Sequence, residues 1–193
     1  MKKLIKLIGL LFFSGLMFVG CQQNANSKSD NVEIETDNVE LSDGTWDYTL
    51  SITFFTEKKW MTISGNDKIN GIYKFNNGIG ILTNGSETGN ATYKFSESAS
   101  QNYIDDINAE NKDKGMTLLS VDGNSYSYKY DRAFDSNETE TASVGEINDF
   151  CKKNNAVVKT NKKKTEYKIT FSETTYDENF KDTNGYTLTL KKK

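Results

Sequence analysis

The sequence predicts a mainly β protein with two short helices, in which an antiparallel meander forms a barrel or a strongly curled sheet. Apolar and polar residues alternate from Trp46 to Phe54, which is typical of a half-buried strand. Asn-Gly and Asp-Gly pairs recur between such segments, as they do in hairpin turns. Two further segments carry apolar residues at helical spacing instead.

The first half of the chain predicts a series of strands separated by turns. The expected strands share alternating apolar residues and run over 46–54, 59–64, 73–75, 79–82 and 91–95. The expected turns share Asn, Asp or Gly and lie at 65–67, 76–78 and 84–85. Together these segments predict an antiparallel meander that begins at Gly44.

The second half predicts two amphipathic helices, each followed by a hairpin. The first helix is expected over about 99–113 and ends at Gly115. The second begins at Ser143, with Glu146 completing a capping box. The expected hairpin strands and the last strand lie at 116–121 with 125–130, at 157–158 with 167–171, and at 186–190 after a turn at 184–185. This repeated order is typical either of an internal duplication or of two ordinary hairpins.

Composition excludes several classes of function. The 193-residue chain contains no histidine, which removes Ser-His and Cys-His catalysis and the commonest zinc ligand. Its net charge is −3, so we expect no nucleic-acid partner. Lysine runs at 162–164 and 191–193 are interpreted as solvated surface, with contact to anionic lipid headgroups as the alternative.

The N-terminus combines a basic start, a short apolar run and a cysteine. Phe18-Val19-Gly20-Cys21 resembles the lipobox of bacterial lipoproteins, although Phe18 stands where the usual motif has Leu. The resemblance implies cleavage between Gly20 and Cys21 and a diacylglycerol thioether on Cys21. A membrane-spanning helix is the alternative, but the apolar run is short and residues 22–30 are polar. The predicted organisation is a signal peptide over 1–20, a flexible tether over 21–41 and one domain over 42–193. A short strand that contains Val32, Ile34 and Val39 is the alternative for the end of the tether.

Gly44-Thr45-Trp46 resembles the Gly-x-Trp that opens the first barrel strand of lipocalins and other calycins. In that family the Trp closes one end of the barrel and an Arg packs on it. The single arginine of this chain, Arg132, follows a middle strand. The resemblance implies a lipocalin-like barrel that holds a small apolar ligand near Trp46 and Arg132. The alternative is that Trp46 is a core aromatic residue at the start of a strand.

Three tyrosines share one strand face and are further candidates for ligand contact: Tyr126, Tyr128 and Tyr130. Period-two alternation favours burial of this face in the core, whereas an exposed face would stack ligands. Five oxygen-bearing residues cluster nearby, at Asp131, Asp135, Asn137, Glu138 and Glu140. Their spacing matches no calcium loop, so we expect no metal and no cofactor. Cys151 lies between apolar residues of the second helix and is expected to be buried.

The sequence therefore predicts a non-enzymatic lipoprotein of the bacterial cell envelope with a β-rich binding domain. Its expected partners are the membrane, through lipid on Cys21, and an unknown small apolar ligand or envelope protein. The sharpest version is a lipocalin-like carrier. The alternative is a protein-interaction or envelope-structural module, an adhesin or assembly factor that uses sheet edges or the tyrosine face. If the cell has two membranes, Gln22 in place of Asp after the cysteine favours the outer one.

Overall fold

The structure is a computed structural model and describes residues 33–133, 139–177 and 180–193. Within these ranges the elements are, in chain order, β1 (Ile34–Thr36), β2 (Gly44–Lys58), β3 (Met61–Asn76), β4 (Ile79–Phe95), α1 (Gln101–Asp113), β5 (Thr117–Asp122), β6 (Ser125–Ala133), β7 (Thr139–Ser143), α2 (Val144–Lys153), β8 (Val157–Thr160), β9 (Glu166–Asp177) and β10 (Phe180–Lys192). Every pairing among these strands is antiparallel. The predicted class, mainly β with two helices and an antiparallel sheet, is confirmed.

One sheet contains all ten of these strands, in the order β1-β8-β9-β10-β2-β3-β4-β6-β5. β7 lies beyond the end of β6, because β4 pairs with β6 along 86–94 and with β7 along 79–83. The predicted meander is formed by β2, β3 and β4, which are 15, 16 and 17 residues long. β1 and β5 stand at opposite ends of the order, and no pairing between them closes the described strands into a barrel.

Alternation in the long strands gives the sheet one buried face. From Trp46 to Phe54 the inward residues of β2 are apolar and buried, whereas their neighbours along the strand are mostly Thr, Ser or charged residues that face outward. Residues of both helices pack on the inward side: Ile147 and Cys151 of α2 join one apolar cluster around Trp46 and Tyr167, and Ile104 of α1 joins a second. We call this side the helix-bearing face and the opposite side the outer face.

Three predicted turns are wrong, because residues 65–67, 84–85 and 184–185 lie inside β3, β4 and β10. Glycine in these segments serves close approach within the sheet instead of chain reversal. A Cβ at Gly65 would overlap the carbonyl oxygen of Asn90 and lie 2.6 Å from the ring of Phe54. The other two segments coincide with shifts of strand register. Residues 84–85 of β4 lie opposite the shift between Asn70 and Gly71 of β3, and residues 184–185 of β10 lie at the shift between Asn184 and Tyr186.

Local signals at hairpins and helix ends are confirmed. Asn77 and Gly78 have φ of 51° and 73°, as the predicted hairpin turn between β3 and β4 requires. Gly115 ends α1 with φ of 76°. The amide of Glu146 donates to Oγ of Ser143 at 3.1 Å, and the amide of Ser143 donates to Oε2 of Glu146 at 2.8 Å. The predicted capping box therefore begins α2.

The ordered domain includes residues that the sequence assigned to the tether. β1 pairs with β8, and the side chains of Val39 and Leu41 are buried in the cluster under α2. The side-chain amide of Asn148 binds the backbone of Val39 twice, accepting from its amide at 2.7 Å and donating to its carbonyl at 3.0 Å. The tether predicted over 21–41 thus overlaps the folded part of the chain from β1 onward.

We expect Gly65→Ala to lower the free energy of unfolding by about 2–3 kcal/mol, because the methyl group collides with backbone and with the Phe54 ring. The midpoint of urea unfolding measures this change. Gly145→Ala is the matched control, since its nearest neighbour would be 3.8 Å from the new Cβ and its position in α2 favours Ala. Equal stability of the two variants would contradict the close strand approach at Gly65.

Candidate functional site

Four polar or aromatic residues meet in the middle of the helix-bearing face, between the two apolar clusters. Asp67 of β3, Glu87 of β4, and Tyr130 and Arg132 of β6 form this group, which we call the central polar cluster. The register places Gly89 between Asp67 and Tyr130, and Glu87 directly beside Arg132. Three neighbouring strands therefore bring together two carboxyl groups and one guanidinium that are far apart in sequence.

Contacts within the central polar cluster hold the arginine in place. Nε of Arg132 lies 3.3 Å from Oε2 of Glu87, an ion pair without the angle of a hydrogen bond. The guanidinium also lies over the Tyr130 ring, 4.8 Å from its centroid. Glu87 is only 7% exposed, whereas the Arg132 side chain is 40% exposed and forms the solvent side of the cluster.

Burial controls the protonation of the two carboxyl groups. Desolvation and the neighbouring Glu87 raise the pKa of Asp67 to about 7, against the opposing charge of Arg132. Desolvation also raises the pKa of Glu87, and Arg132 again opposes the shift. Oδ1 of Asp67 is buried and accepts no hydrogen bond from the described residues. The cluster can therefore take up or release a proton near neutral pH.

The five residues that the sequence suggested for ligand contact lie in three different places in the structure. Tyr130 and Arg132 belong to the central polar cluster. Tyr126 and Tyr128 lie under α1, where Tyr128 donates to Oδ1 of Asn108 and Tyr126 packs edge-on against Phe95. Tyr128 and Tyr130 are buried, so the tyrosine face belongs to the core, as the alternation favoured.

Trp46 lies in the other apolar cluster, fully buried under α2. Its Nε1 donates to the carbonyl of Ser42 at 2.9 Å, and its ring packs against Tyr167. The cation over this indole is Lys192 of the last strand, 5.9 Å from the ring centroid. Arg132, which the calycin resemblance implies on the Trp, stacks on Tyr130 instead.

Sequence reasoning missed Asp67 and Glu87. The turn predicted at 65–67 hid the strand period that places Asp67 on the same face as Ile63 and Ile69. Alternation also places Glu87 on the inward side of β4. A charged residue at an inward position of a strand is the sequence signal that could have identified Glu87 as a candidate site residue.

A second feature is the outermost strand on one side, β5, whose six residues are all exposed. It pairs with β6 along one edge, and no described strand pairs with its other edge. Leu118, Leu119 and Val121 are 47%, 56% and 52% exposed, and Asp122 is the only charged residue of the strand. We call this unpaired apolar strand the β5 edge.

Cys151 is buried, and the acidic residues that clustered in the sequence form no metal group in the described ranges. Burial raises the pKa of the Cys151 thiol to about 11. No three His, Cys, Asp or Glu side chains of the described residues gather in a group that suits a metal ion. Asp131 is exposed on β6 and Glu140 lies on β7, while Asp135, Asn137 and Glu138 lie outside the described residues.

Gly20 and Cys21 also lie outside the described residues. Among the residues that are described, neither helix has the length and apolar character needed to cross a bilayer. No known protein family, curated protein or solved structure matches this chain. The geometry of the central polar cluster and the β5 edge is therefore the basis for a functional proposal.

We expect Asp67→Asn to raise the free energy of unfolding at pH 8 by about 1–3 kcal/mol and to change it little at pH 4. The folded pKa of Asp67 lies above its ordinary 3.8, so the folded state binds the proton more tightly than the unfolded chain. Wild-type stability should therefore fall as pH rises from about 4 to about 7. Asn removes this titration.

Urea unfolding across this pH range measures the effect. Asp131→Asn is the control, because Asp131 is exposed on the outer face of β6, beside the cluster in sequence. The same pH dependence in Asp67→Asn as in the wild type would show that Asp67 does not titrate in this way.

Proposed function

We propose that this protein is a lipid-anchored component of the bacterial cell envelope that binds a partner protein without catalysis. The β5 edge is the binding surface, and an extended segment of the partner adds to it as a further strand. The observation that carries this proposal is the row of exposed Leu118, Leu119 and Val121 on a strand with an unpaired edge among the described residues.

The physical chemistry of a sheet edge supports this use. Its amide and carbonyl groups form a template for another strand, and apolar side chains beside it add buried area on binding. Proteins commonly place charged side chains on such edges, which opposes pairing with another chain. The strand at the opposite side, β1, has Glu33 and Glu35 within or beside it, and Glu33 pairs with Lys159 at 3.7 Å. The β5 edge has a register shift at Leu119 but only one charge, so it is the less protected side.

A carrier of a small apolar ligand, with the barrel that the calycin resemblance implies, has less support. Aromatic and aliphatic side chains from the sheet and from both helices fill the two clusters of the helix-bearing face. A pocket beside β8 and β9 holds about 110 Å³ and is lined by polar and charged residues such as Lys159 and Glu166. Sites for small ligands usually hold about 300–1,000 Å³ and are mostly apolar.

Binding without catalysis fits the state of the two buried carboxyl groups. Glu87 is engaged by Arg132, which is itself stacked on Tyr130. Asp67 is buried beside them, with a raised pKa. A glycosidase needs its two carboxyl groups on either side of an open cleft. Here both lie in one layer of the sheet core, so a structural role suits them better.

The proposed anchor rests on Phe18-Val19-Gly20-Cys21. Removal of residues 1–20 takes away three lysines and no acidic residue, which leaves a mature chain of 173 residues with a net charge of −6. Two or three acyl chains on Cys21 would hold such a chain stably at a membrane, where one chain is marginal. In a cell with two membranes, Gln22 favours the outer membrane.

The anchor predicts a thiol count. The unfolded mature protein should show one reactive thiol, Cys151, if the sulfur of Cys21 carries lipid, and two if it does not. In the folded protein, Cys151 should react slowly, because it is buried and its pKa is raised. Labelling with radioactive palmitate should be lost in Cys21→Ser and retained in Cys151→Ser. Palmitate label in Cys21→Ser, together with unchanged membrane fractionation, would exclude the lipoprotein proposal.

The β5 edge predicts a position-specific contact in the cell. A photo-crosslinking residue at Leu119 should become joined to a peptide of an envelope protein when the full chain is expressed in its own cells. The same residue at Ile79, an equally exposed apolar position of β4, should not give that product. Mass spectrometry of the joined peptides identifies the segment and its sequence position in the partner.

A lysine substituted into the β5 edge tests the same contact, and a lysine substituted at an exposed position of β4 is the control. Val121→Lys should reduce the crosslink at Leu119 by about tenfold or more, because a lysine there opposes strand addition. Ile79→Lys should leave it unchanged. No product at Leu119, or a product that survives Val121→Lys, would argue against the β5 edge. A peptide from β5 of a second copy would replace the proposed partner by self-association.

A further inference from the structure

The fold brings the two lysine runs of the sequence to one end of the sheet. Residues 162–164 occupy the turn between β8 and β9, and residues 191–193 lie beside it at the end of β10. The amide of Lys192 donates to the carbonyl of Thr165 at 2.8 Å, which joins the two runs. We call these six lysines and their end of the sheet the lysine end.

The N-terminal part of the chain reaches the domain at this same end. Ile34 of β1 lies opposite Thr160 of β8, so Glu33 comes next to the turn that holds Lys162. Glu33 pairs with Lys159 at 3.7 Å. Eleven residues lie between Cys21 and Glu33. Such a segment spans at most about 40 Å when extended and about 20 Å as a flexible coil.

Carboxylates offset part of the charge at the lysine end. Three pairs lie there, with Nζ to carboxylate oxygen distances of 2.5 Å for Lys164–Glu40, 2.9 Å for Lys193–Asp47 and 3.9 Å for Lys191–Glu166. Lys192 donates to Oγ of Ser42 at 2.6 Å and lies over the Trp46 ring, and no carboxylate of the described residues forms an ion pair with it. Lys162 and Lys163 are exposed, and no described carboxylate lies within ion-pair distance of either. Three cationic groups therefore remain available in an otherwise acidic protein.

We propose that the lysine end faces the membrane and binds the headgroups of anionic lipids. This inference rests on the proposed lipid anchor at Cys21, which would hold the lysine end within about 20–40 Å of the bilayer. Screening limits attraction between charges to about 8 Å at physiological salt, so the short tether is what makes the contact effective. Lys162, Lys163 and Lys192 provide the contact, as basic residues near an anionic leaflet do.

This orientation also determines where the long strands and the β5 edge lie relative to the membrane. Strands run from the lysine end to the opposite end, where the turn between β2 and β3 carries Lys58 and Lys59. With the lysine end at the headgroups, the long strands stand away from the membrane. The β5 edge then remains accessible along its length, because it lies at the side of the sheet and not at its end.

Lysine acetylation rates test the contact in the full mature lipoprotein. The protein is reconstituted into vesicles of phosphatidylcholine alone and into vesicles in which one third of the lipid is phosphatidylglycerol. We expect acetylation of Lys162, Lys163 and Lys192 to slow by about threefold or more in the anionic vesicles, and the effect to disappear in high salt. Lys58 and Lys59 at the opposite end should react equally in both.

Two double variants distinguish a contact at the lysine end from a nonspecific effect of the protein's net charge. In Lys162→Gln/Lys163→Gln, the protection of Lys192 in anionic vesicles should be lost. In Lys58→Gln/Lys59→Gln, which removes the same charge from the opposite end, the protection should remain. Equal acetylation of Lys162 in both kinds of vesicle would overturn the inference. Release of the wild-type protein from neutral vesicles in high salt would instead count against the lipid anchor, so the two failures are distinguishable.

Discussion

Contacts between aromatic rings and glycines of the neighbouring strand cover much of the helix-bearing face, and the rest of the structure depends on them. Four such contacts cross the described sheet: Phe54 on Gly65, Tyr48 on Gly71, Phe75 on Gly80 and Tyr130 on Gly89. Two helices of 13 and 10 residues cannot cover strands of 15 to 17 residues. The rings complete the apolar layer because glycine leaves room for them to lie flat on the backbone.

The central polar cluster follows from the same packing. Tyr130 lies over Gly89, and a side chain at Gly89 would overlap both Tyr130 and Asp67. The glycine therefore makes space for a carboxyl group inside an aromatic layer, between the regions that α1 and α2 cover. Arg132 compensates the charge of Glu87 from the solvent side, but no residue among those described forms an ion pair with Asp67, and its buried Oδ1 accepts no hydrogen bond from them. Desolvation of the Asp67 carboxyl group in this layer disfavours its charged form and raises its pKa.

Elements with a local cause could be predicted from the sequence, and those with a cause in the neighbouring strand could not. Ser143 and Glu146 predict a helix start because the capping bonds join residues three apart. Asn77 and Gly78 predict a hairpin because the turn itself requires positive φ. Gly65 has the same local appearance as a turn residue, yet its reason is the ring of Phe54 on another strand. The proximity of Asp67 to Glu87 depends on the register between β3 and β4, which no single segment of sequence contains.

Orientation at a membrane would also explain how an exposed apolar edge is tolerated. An unpaired strand in a freely diffusing protein favours antiparallel pairing with a second copy, in which the two β5 strands point in opposite directions. Copies held by lipid on Cys21, with the lysine end at the headgroups as proposed, would all point their strands the same way. Antiparallel pairing of two β5 edges would then require one copy to be inverted relative to the bilayer. The proposed anchor would thus remove the commonest route to self-association, while an extended segment of a different protein would remain free to approach the β5 edge in either direction.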